Sequence, residues 1–217
     1  ETDYDVVKDT ETEAGNEIAT LKKVAVAKVL KTSIPAANLN GIEYVSLDSD
    51  YYGFYRLCDA FGACVDNNQT DVIVIRDITY TANAVSQEVP ANKNVVLDMN
   101  GHKITSGLDN TFVVNGTLKV TDNTETVGQI SSSKANVFIN NGNLTAEKIT
   151  ISSSGSGAVF VNTWTLTVNN VNGTASSDYF INSNTLKVNG GDITAHAAFL
   201  RNNDSGDAVI TGTKMTW

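Results

Sequence analysis

The second half of the chain repeats one short phrase at a spacing near twenty residues. An apolar residue is followed two places later by a polar residue, usually Asn, and then by Leu-x-Val or a close variant. The apolar anchors lie 25, 22, 20 and 19 residues apart, at Val113, Phe138, Phe160, Phe180 and Phe199. A period in this range is typical of solenoid proteins, in which each repeat forms one coil.

The composition of each repeat favours strands over helices. Apolar residues alternate, as in Leu166-Thr167-Val168, and turn dipeptides such as Asn115-Gly116 flank the alternating segments. Short strands joined by turns can stack at the usual strand spacing around one continuous core. We therefore predict an all-β fold, a right-handed parallel β-helix (solenoid), with about five coils between residues 94 and 217.

Two sets of side chains recur at fixed places in the repeat and are predicted to be structural. Stacked amides can hydrogen-bond from coil to coil, so the polar set should form an Asn ladder: Asn115, Asn140, Asn162 and Asn182. The apolar set should form a stack inside the core, in preference to a ligand-binding aromatic track: Val113, Phe138, Phe160, Phe180 and Phe199.

The chain before the repeats divides into two predicted parts. Residues 1–41 combine an acidic segment with a strand extension, because residues 1–17 carry seven acidic side chains against Lys8 alone. The acidic part is predicted to be a mobile tail or linker. Residues 42–217 are predicted to form the solenoid, including a helix at about 50–66 that begins at Asp48 or Asp50. Helical spacing gives that helix an apolar face: Phe54, Leu57, Cys58 and Phe61.

Two phrases after the predicted helix resemble a known family. They are Asp71–Thr79 and Val95–Thr105, the second containing Leu-Asp-Met-Asn-Gly-His-Lys-Ile-Thr. Following a strand and an amphipathic helix, they resemble the N-terminal half of right-handed parallel β-helix proteins of the pectin-lyase-like superfamily. The resemblance is closest to adhesin-like modules of bacterial and archaeal surface proteins, and it covers residues 42–217. It implies that the helix plugs the N-terminal mouth of the solenoid.

Charge and hydropathy limit the partners that we expect. The formal net charge is −9 and the lysines are scattered, so nucleic acid is not an expected partner. No apolar run is long enough to span a membrane. The chain begins at Glu1 without Met, and we expect an extracellular or cell-surface protein whose signal peptide has been removed. Cys58 and Cys64 could pair only if the helix breaks at Gly62, so a disulfide stays open at this stage.

The enzymes of the resembled superfamily cleave acidic polysaccharides, which requires carboxylates converging on a metal ion with a base, or a pair of carboxylates across a cleft. The best candidate ligand patch is His196, Arg201, Asp204 and Asp207. Ser205-Gly206 separates the two acids, which favours a solvated turn. We therefore predict no catalytic activity, no cofactor and no bound metal.

Three classes of function are compatible with the sequence. A non-catalytic, adhesin-like surface β-helix is favoured over a polysaccharide-binding or polysaccharide-cleaving β-helix. A phage or virus fibre that trimerises through a threefold apolar stripe is the third class. The expected partners are copies of the same chain, in a homo-oligomer or filament, and a surface glycan or host protein.

The two ends of the chain suggest self-assembly as one of three alternatives, the others being that the chain is part of a longer array or that Met215 and Trp217 plug the open end. Thr211–Trp217 looks like the beginning of another coil without a cap, and an uncapped solenoid exposes strand edges and core. The β-prone segment near residues 23–31 could cover such an end by β-augmentation, on its own chain or on a neighbour. The candidate assembly residues are Val24, Val26, Val29, Leu30, Met215 and Trp217.

Overall fold

The computed structural model describes residues 4–8 and 19–217. Strand β1 (Tyr4–Lys8) pairs antiparallel with β2 (Ala19–Lys23) in a separate two-stranded sheet. The rest of the acidic segment predicted to be a mobile tail lies outside the described residues. The cap that follows contains β3 (Ala27–Leu30), 3₁₀ turns at Lys31–Ser33 and Ala36–Leu39, β4 (Tyr44–Ser46), β5 (Tyr51–Phe54) and α1 (Leu57–Ala63).

From Gln69 onwards the chain winds through about seven coils, which confirms the predicted parallel β-helix. The strands, coil by coil, are β6 (Gln69–Val74), β7 (Ile78–Tyr80) and β8 (Gln87–Val89); β9 (Asn94–Asp98), β10 (Lys103–Ser106) and β11 (Asn110–Val114); β12 (Thr117–Thr121), β13 (Gln129–Ser132) and β14 (Asn136–Asn140); β15 (Asn143–Glu147), β16 (Thr150–Ser153) and β17 (Phe160–Asn162); β18 (Thr165–Asn169), β19 (Gly173–Ala175) and β20 (Phe180–Asn182); β21 (Thr185–Asn189), β22 (Asp192–Ala195) and β23 (Leu200–Asn202); β24 (Asp207–Thr211) and β25 (Lys214–Thr216).

Equivalent strands of successive coils pair in parallel and build three sheets. The first strand of each coil belongs to a ten-stranded sheet, the second to a seven-stranded sheet and the third to a six-stranded sheet. Alternate residues point inward, as in β12, where Leu118 and Val120 are fully buried. The three sheets therefore enclose one continuous hydrophobic core.

The N-terminal segment is part of the solenoid wall. Strand β3 pairs antiparallel with β6 of the first coil and with β5, and β5 pairs with β4. Val26 and Val29 are buried in the same core as the coils. The predicted division at residue 41 therefore does not correspond to a break in the sheet. Val26 and Val29 belong to the N-terminal cap of their own solenoid, which matches the own-chain alternative of the sequence prediction.

The predicted helix at 50–66 is too long, since α1 spans only Leu57–Ala63. The Asp48 carboxylate accepts hydrogen bonds from the backbone N–H groups of Asp50 and Tyr51, which forms a turn before a strand and not a helix N-terminus. Phe54 lies at the end of β5, although its side chain is fully buried as expected.

Helix α1 is part of the cap and covers the N-terminal end of the first coil. Leu57 and Phe61 are fully buried, Cys58 is half-buried, and the helix contacts β3, β5 and β8. Its C-terminal carbonyl groups, which have no partner within the helix, are bonded by side chains. Asn38 Nδ2 donates to the carbonyl of Cys64 at 2.9 Å, and Lys93 Nζ donates to the same oxygen at 2.6 Å.

An aromatic column runs through the core beneath the six-stranded sheet. The rings of Phe112, Phe138, Phe160 and Phe180 stack with centroid distances of 4.9, 5.3 and 5.3 Å, and Leu200 continues the register. Two predicted members are wrong by one residue. Val113 points outward beside Ile139. Phe199 is buried and meets Phe180 edge-on, but in register it follows Tyr179 and not Phe180.

The buried Asn ladder is also displaced by one residue at its first rung. Its buried members are Asn140, Asn162 and Asn182, and the exposed Asn202 continues the row, with amide–amide hydrogen bonds of 2.7, 2.7 and 2.8 Å between successive members. Asn115 is not among them, because Val114 occupies the position equivalent to Asn140. Asn115 instead belongs to a second, outer row, where it accepts a hydrogen bond from Asn141 at 3.0 Å.

Both cysteines are free thiols, which answers the question that the sequence left open. Cys64 is buried, and this burial raises the pKa of its thiol to about 12, so it is an inert part of the core. Within residues 4–8 and 19–217, no helix has the length and apolar content that a membrane crossing requires.

Candidate functional site

A polar cleft of about 260 Å³ lies on the outer face of the ten-stranded sheet, across the first three coils. Strand alternation directs every second residue of β6, β9 and β12 to this face. The register of the strands then brings side chains from three coils side by side, so that residues 23 to 48 positions apart share one surface. The lining residues are Gln69, Asp71, Ile73, Val96, Asp98, Lys119, Thr121 and Asn123.

The cleft carries a net negative charge. Lys119 Nζ lies 2.6 Å from a carboxylate oxygen of Glu147 on the neighbouring coil, which offsets its positive charge. Asp98 Oδ1 accepts a hydrogen bond from the backbone N–H of Asn100 at 3.0 Å, and Asp71 Oδ1 accepts one from Gln69 Nε2 at 3.4 Å. Both aspartates are bonded to neutral donors, which do not cancel the negative charges. The charges of the two aspartates therefore add to the electric field in the cleft.

The cap extends the same outer face beyond the first coil. Lys28 of β3 lies opposite Ile73 of β6, which lines the cleft. Lys28 Nζ lies 4.4 Å from the centre of the Tyr51 ring, within the range of a cation–π contact. An aromatic ring and an ammonium group thus border the acidic cleft on its N-terminal side.

This arrangement can bind hydroxyl-rich molecules. Carboxylate, amide, hydroxyl and ammonium groups offer donors and acceptors together, while Ile73 and Val96 form an apolar floor. In the part of the chain that the structure describes, no three His, Cys, Asp or Glu side chains are grouped so as to hold a metal ion.

The predicted ligand patch is not a connected group. Arg201 bonds to Asp178, with Nε 2.8 Å from Oδ2, and Asp178 is a buried carboxylate that the sequence did not single out. His196, Asp204 and Asp207 are exposed, and no hydrogen bond or ion pair described for residues 23–217 joins them to Arg201.

The candidate assembly residues have different environments. Val24 is half-buried, and Val26 and Val29 are fully enclosed in the cap. Leu30, Met215 and Trp217 keep large exposed surfaces, with Trp217 85 % exposed. Strands β23, β24 and β25 are the outermost strands of their three sheets.

The sequence did not predict the cleft. Asp71 and Asp98 lie in the two phrases that carry the family resemblance, and neither phrase by itself indicates a binding site. The alternation within each strand gave one signal. In Gln69-x-Asp71-x-Ile73, Val96-x-Asp98 and Lys119-x-Thr121, every second residue is predicted to point to the outer face of the sheet. The register between coils was needed to bring these triplets together.

Comparison with known protein families, curated proteins and solved structures finds no match to this chain. The resemblance to pectin-lyase-like β-helices therefore rests on the phrases at residues 71–79 and 95–105 and on the parallel β-helix itself. Since a fold does not determine an activity, the function has to be argued from the surfaces and the core of this molecule.

Proposed function

We propose that this protein is a non-catalytic, extracellular surface β-helix of the adhesin-like kind, which acts as a stiff structural module. The observation that carries the proposal is the continuity of its interior. The aromatic column runs from coil to coil without a break from Phe112 to Phe180, and the Asn ladder does so from Asn140 to Asn202. An interior of this kind favours a rigid rod over a hinged or closing enzyme.

The Asn ladder supports rigidity by a specific mechanism. Asn162 Nδ2 donates to Asn182 Oδ1 and also lies within hydrogen-bond distance of the backbone oxygens of Trp164 and Thr185. Each rung therefore ties one coil to the next and closes the turn of its own coil. With strands spaced at about 4.8 Å, seven coils give a rod about 30 Å long whose outer faces are free to contact other molecules.

A second candidate function is the binding of a polysaccharide in the cleft around Asp71, Asp98 and Lys119. The mixture of two aspartates, an ammonium group and apolar side chains favours this ligand class. The net negative charge favours neutral or amino-sugar polymers over uronic acid polymers, because an acidic polymer would be repelled. Binding here is compatible with a surface module, whereas cleavage would contradict the non-catalytic proposal.

One experiment separates the structural proposal from a catalytic one. The protein is incubated with chitosan, neutral glucans, polygalacturonate and alginate, with and without calcium, and reducing and unsaturated ends are measured. We expect none above background. Turnover that Asp98→Asn abolishes and Thr167→Ala leaves intact would overturn the proposal, because Thr167 lies on the same sheet face two coils beyond Lys119.

A second experiment tests the location. Protease treatment of intact cells of the source organism should digest the cell-associated protein while a cytoplasmic marker persists. Full protection of the protein until the cells are lysed would contradict a surface role.

A further inference from the structure

The outer face of the six-stranded sheet carries an unusual column of side chains. The registered outward positions of its strands are Glu88, Val113, Ile139, Val161, Ile181 and Arg201. The four aliphatic residues are half-buried and keep part of their surface accessible, and the two charged ends are exposed. We call Val113, Ile139, Val161 and Ile181 the aliphatic stripe.

The aliphatic stripe contrasts with the other outer faces of the same rod. The equivalent outward column of the seven-stranded sheet contains only hydroxyl side chains: Thr79, Thr105, Ser131, Ser152, Thr174, Thr194 and Thr216. On the ten-stranded sheet, the comparable column is mixed, since Val96 and Val209 share it with five charged or hydroxyl side chains: Asp71, Lys119, Thr145, Thr167 and Lys187. Strand propensity alone is satisfied equally by Thr and Val, so it does not explain why one face is apolar. The four aliphatic residues are only partly exposed, but they are contiguous, and a contiguous apolar surface is typical of interaction sites.

We propose that the aliphatic stripe binds the same stripe of a second copy of this chain, forming an antiparallel dimer with twofold symmetry. A twofold axis between Ile139 and Val161 brings Ile139 against the partner's Val161, and Val113 against the partner's Ile181. Every contact then joins one Val to one Ile, so the two surfaces are complementary in volume along their whole length. A twofold interface requires this kind of self-complementary patch.

The charges at the ends of the stripe select the antiparallel orientation. The twofold axis places Glu88 against the partner's Arg201, and Arg201 against the partner's Glu88. Parallel association, as in a trimeric fibre, would place Glu88 beside Glu88, and like charges at an interface are unfavourable. It would also place Arg201 beside Arg201, although Asp178 offsets part of the charge of each guanidinium. Charge complementarity therefore identifies the occupant as a second copy in reversed orientation.

Both charged groups keep free bonding positions for this contact. Arg201 uses Nε and Nη2 toward Asp178, which leaves Nη1 available, and Asp178 holds the guanidinium in place. Glu88 accepts a hydrogen bond from Asn115 through Oε1, which leaves Oε2 available. The neighbouring outer row of Asn115, Asn141, Thr163, Ser183 and Asn203 supplies a polar rim beside the apolar centre, as in other protein interfaces.

The stripe is narrow, which predicts a weak and reversible dimer. Five steps between strands give it a length of about 24 Å from Glu88 to Arg201. The proposal does not depend on the non-catalytic role, because the aliphatic stripe and the polar cleft lie on different sheets.

The oligomeric state tests the contact. At about 100 µM chain, where weak interfaces are populated, sedimentation equilibrium should give a species of twice the 23.1 kDa chain mass. The double variant Ile139→Thr and Val161→Thr should raise the dissociation constant about 100-fold, because each dimer loses its central apolar contacts. The matched control Thr167→Val, Thr145→Val changes outward residues of another sheet and should leave it unchanged. A monomeric wild-type protein, or a dimer unaffected by the stripe variant, would overturn the proposal.

Cross-linking tests the orientation, with wild-type protein as the control for the native thiols. The variants Val113→Cys and Ile181→Cys are oxidised separately and as an equilibrated mixture. The antiparallel dimer predicts a covalent dimer in the mixture only, because position 113 faces the partner's position 181. Covalent dimers of each variant alone would indicate parallel association and overturn the proposed geometry. Circular dichroism of all variants should match the wild-type protein, which separates loss of contact from loss of folding.

Discussion

Phe160 occupies the middle of the aromatic column and shows how much stability one residue supplies. Its ring stacks between Phe138 and Phe180 and contacts Tyr179, and the side chain is fully buried. We expect Phe160→Ala to lower the free energy of unfolding by about 3–5 kcal/mol, since the stacked rings cannot collapse into the cavity. Thr167→Ala, on the outer face, should cost about 0.5 kcal/mol or less. Denaturant unfolding of both variants makes the comparison, and equal losses would contradict the core position.

Asp122 is a buried carboxylate that joins two turns. Oδ2 accepts hydrogen bonds from the backbone N–H groups of Gly101 and Gly128 at 2.7 and 2.9 Å, and Oδ1 accepts bonds from the N–H and hydroxyl of Thr124. Burial favours the protonated acid, but these bonds outweigh it and lower the pKa of Asp122. The charged form is therefore the one that stabilises the fold.

This pKa shift predicts a pH dependence with a definite sign. Because the folded-state pKa is depressed, the stabilisation is complete above the unfolded value of about 3.9 and is lost as the pH falls through the lower folded value. Asp122→Asn should cost about 1–3 kcal/mol at neutral pH, since an NH2 group replaces one carboxylate oxygen and cannot accept the two hydrogen bonds made to it. The difference from wild type should shrink below about pH 4. The exposed Asp109→Asn is the control, and a pH-independent difference would refute the assignment.

The sequence predicted only in part which residues of each repeat point into the core and which point outward. The Phe and Asn columns were predicted correctly between Phe138 and Asn182, yet Val113, Asn115 and Phe199 were placed one residue out of register. A shift of one residue exchanges the inner and outer faces of a strand. The Asn-Gly turns carried the correct phase, because a Cβ atom on Gly142 would lie 2.1 Å from the carbonyl oxygen of Gly116. Close stacking of the two turns thus requires Gly at position 142, and position 116 requires Gly because its Cβ would lie 2.2 Å from the carbonyl oxygen of Pro90.

At the scale of elements, α1 depends on its surroundings more than on its own sequence. A helix of seven residues is not stable in isolation, and its N-cap residue Arg56 makes no capping side-chain bond. Its stability comes from burial of Leu57 and Phe61 and from the bonds of Asn38 and Lys93 to its last carbonyl groups. This explains why the sequence predicted the existence of the helix and its buried face but misplaced both of its ends.

The cap should be sensitive to loss of that buried face. We expect Phe61→Ala to cost about 3–5 kcal/mol and to open the first coil, because the fully buried ring closes the N-terminal end of the core. The opened coil should bind a hydrophobic dye and aggregate on heating. Arg56→Ala removes only a partly exposed ion pair with Asp59 and should behave as the wild type. Dye fluorescence and light scattering record the outcome, and a soluble, dye-negative Phe61→Ala protein would contradict the capping role.

At the scale of the whole molecule, stability should vary along the rod. Central coils are covered on both sides, whereas β25 is an outermost strand whose residues are all exposed. Nearest-neighbour stabilisation then predicts slow amide exchange in β14, β17 and β20 and fast exchange in β24 and β25. Hydrogen exchange followed by mass spectrometry at peptide resolution tests the gradient. Uniform protection along residues 69–217 would show that the rod opens only as one unit.

The polar cleft also belongs to this scale, which is why the sequence did not reveal it. Asp71, Asp98 and Lys119 come from three successive coils, and no local motif connects them. The solenoid class could be predicted because the repeat is local in sequence. The cleft could not, because it depends on the register between coils that differ in length.

The order of the elements along the chain gives folding a direction in time. From β9 onwards, each strand of the ten-stranded sheet finds its partner 20 to 26 residues earlier, and the cap formed by β3, β5 and α1 precedes every coil. A polypeptide emerging N-terminus first, from a ribosome or a secretion channel, therefore completes its template before the first coil arrives. Each later coil then pairs with an edge that has already folded. The segment that has emerged but not yet folded therefore stays about one coil long throughout synthesis.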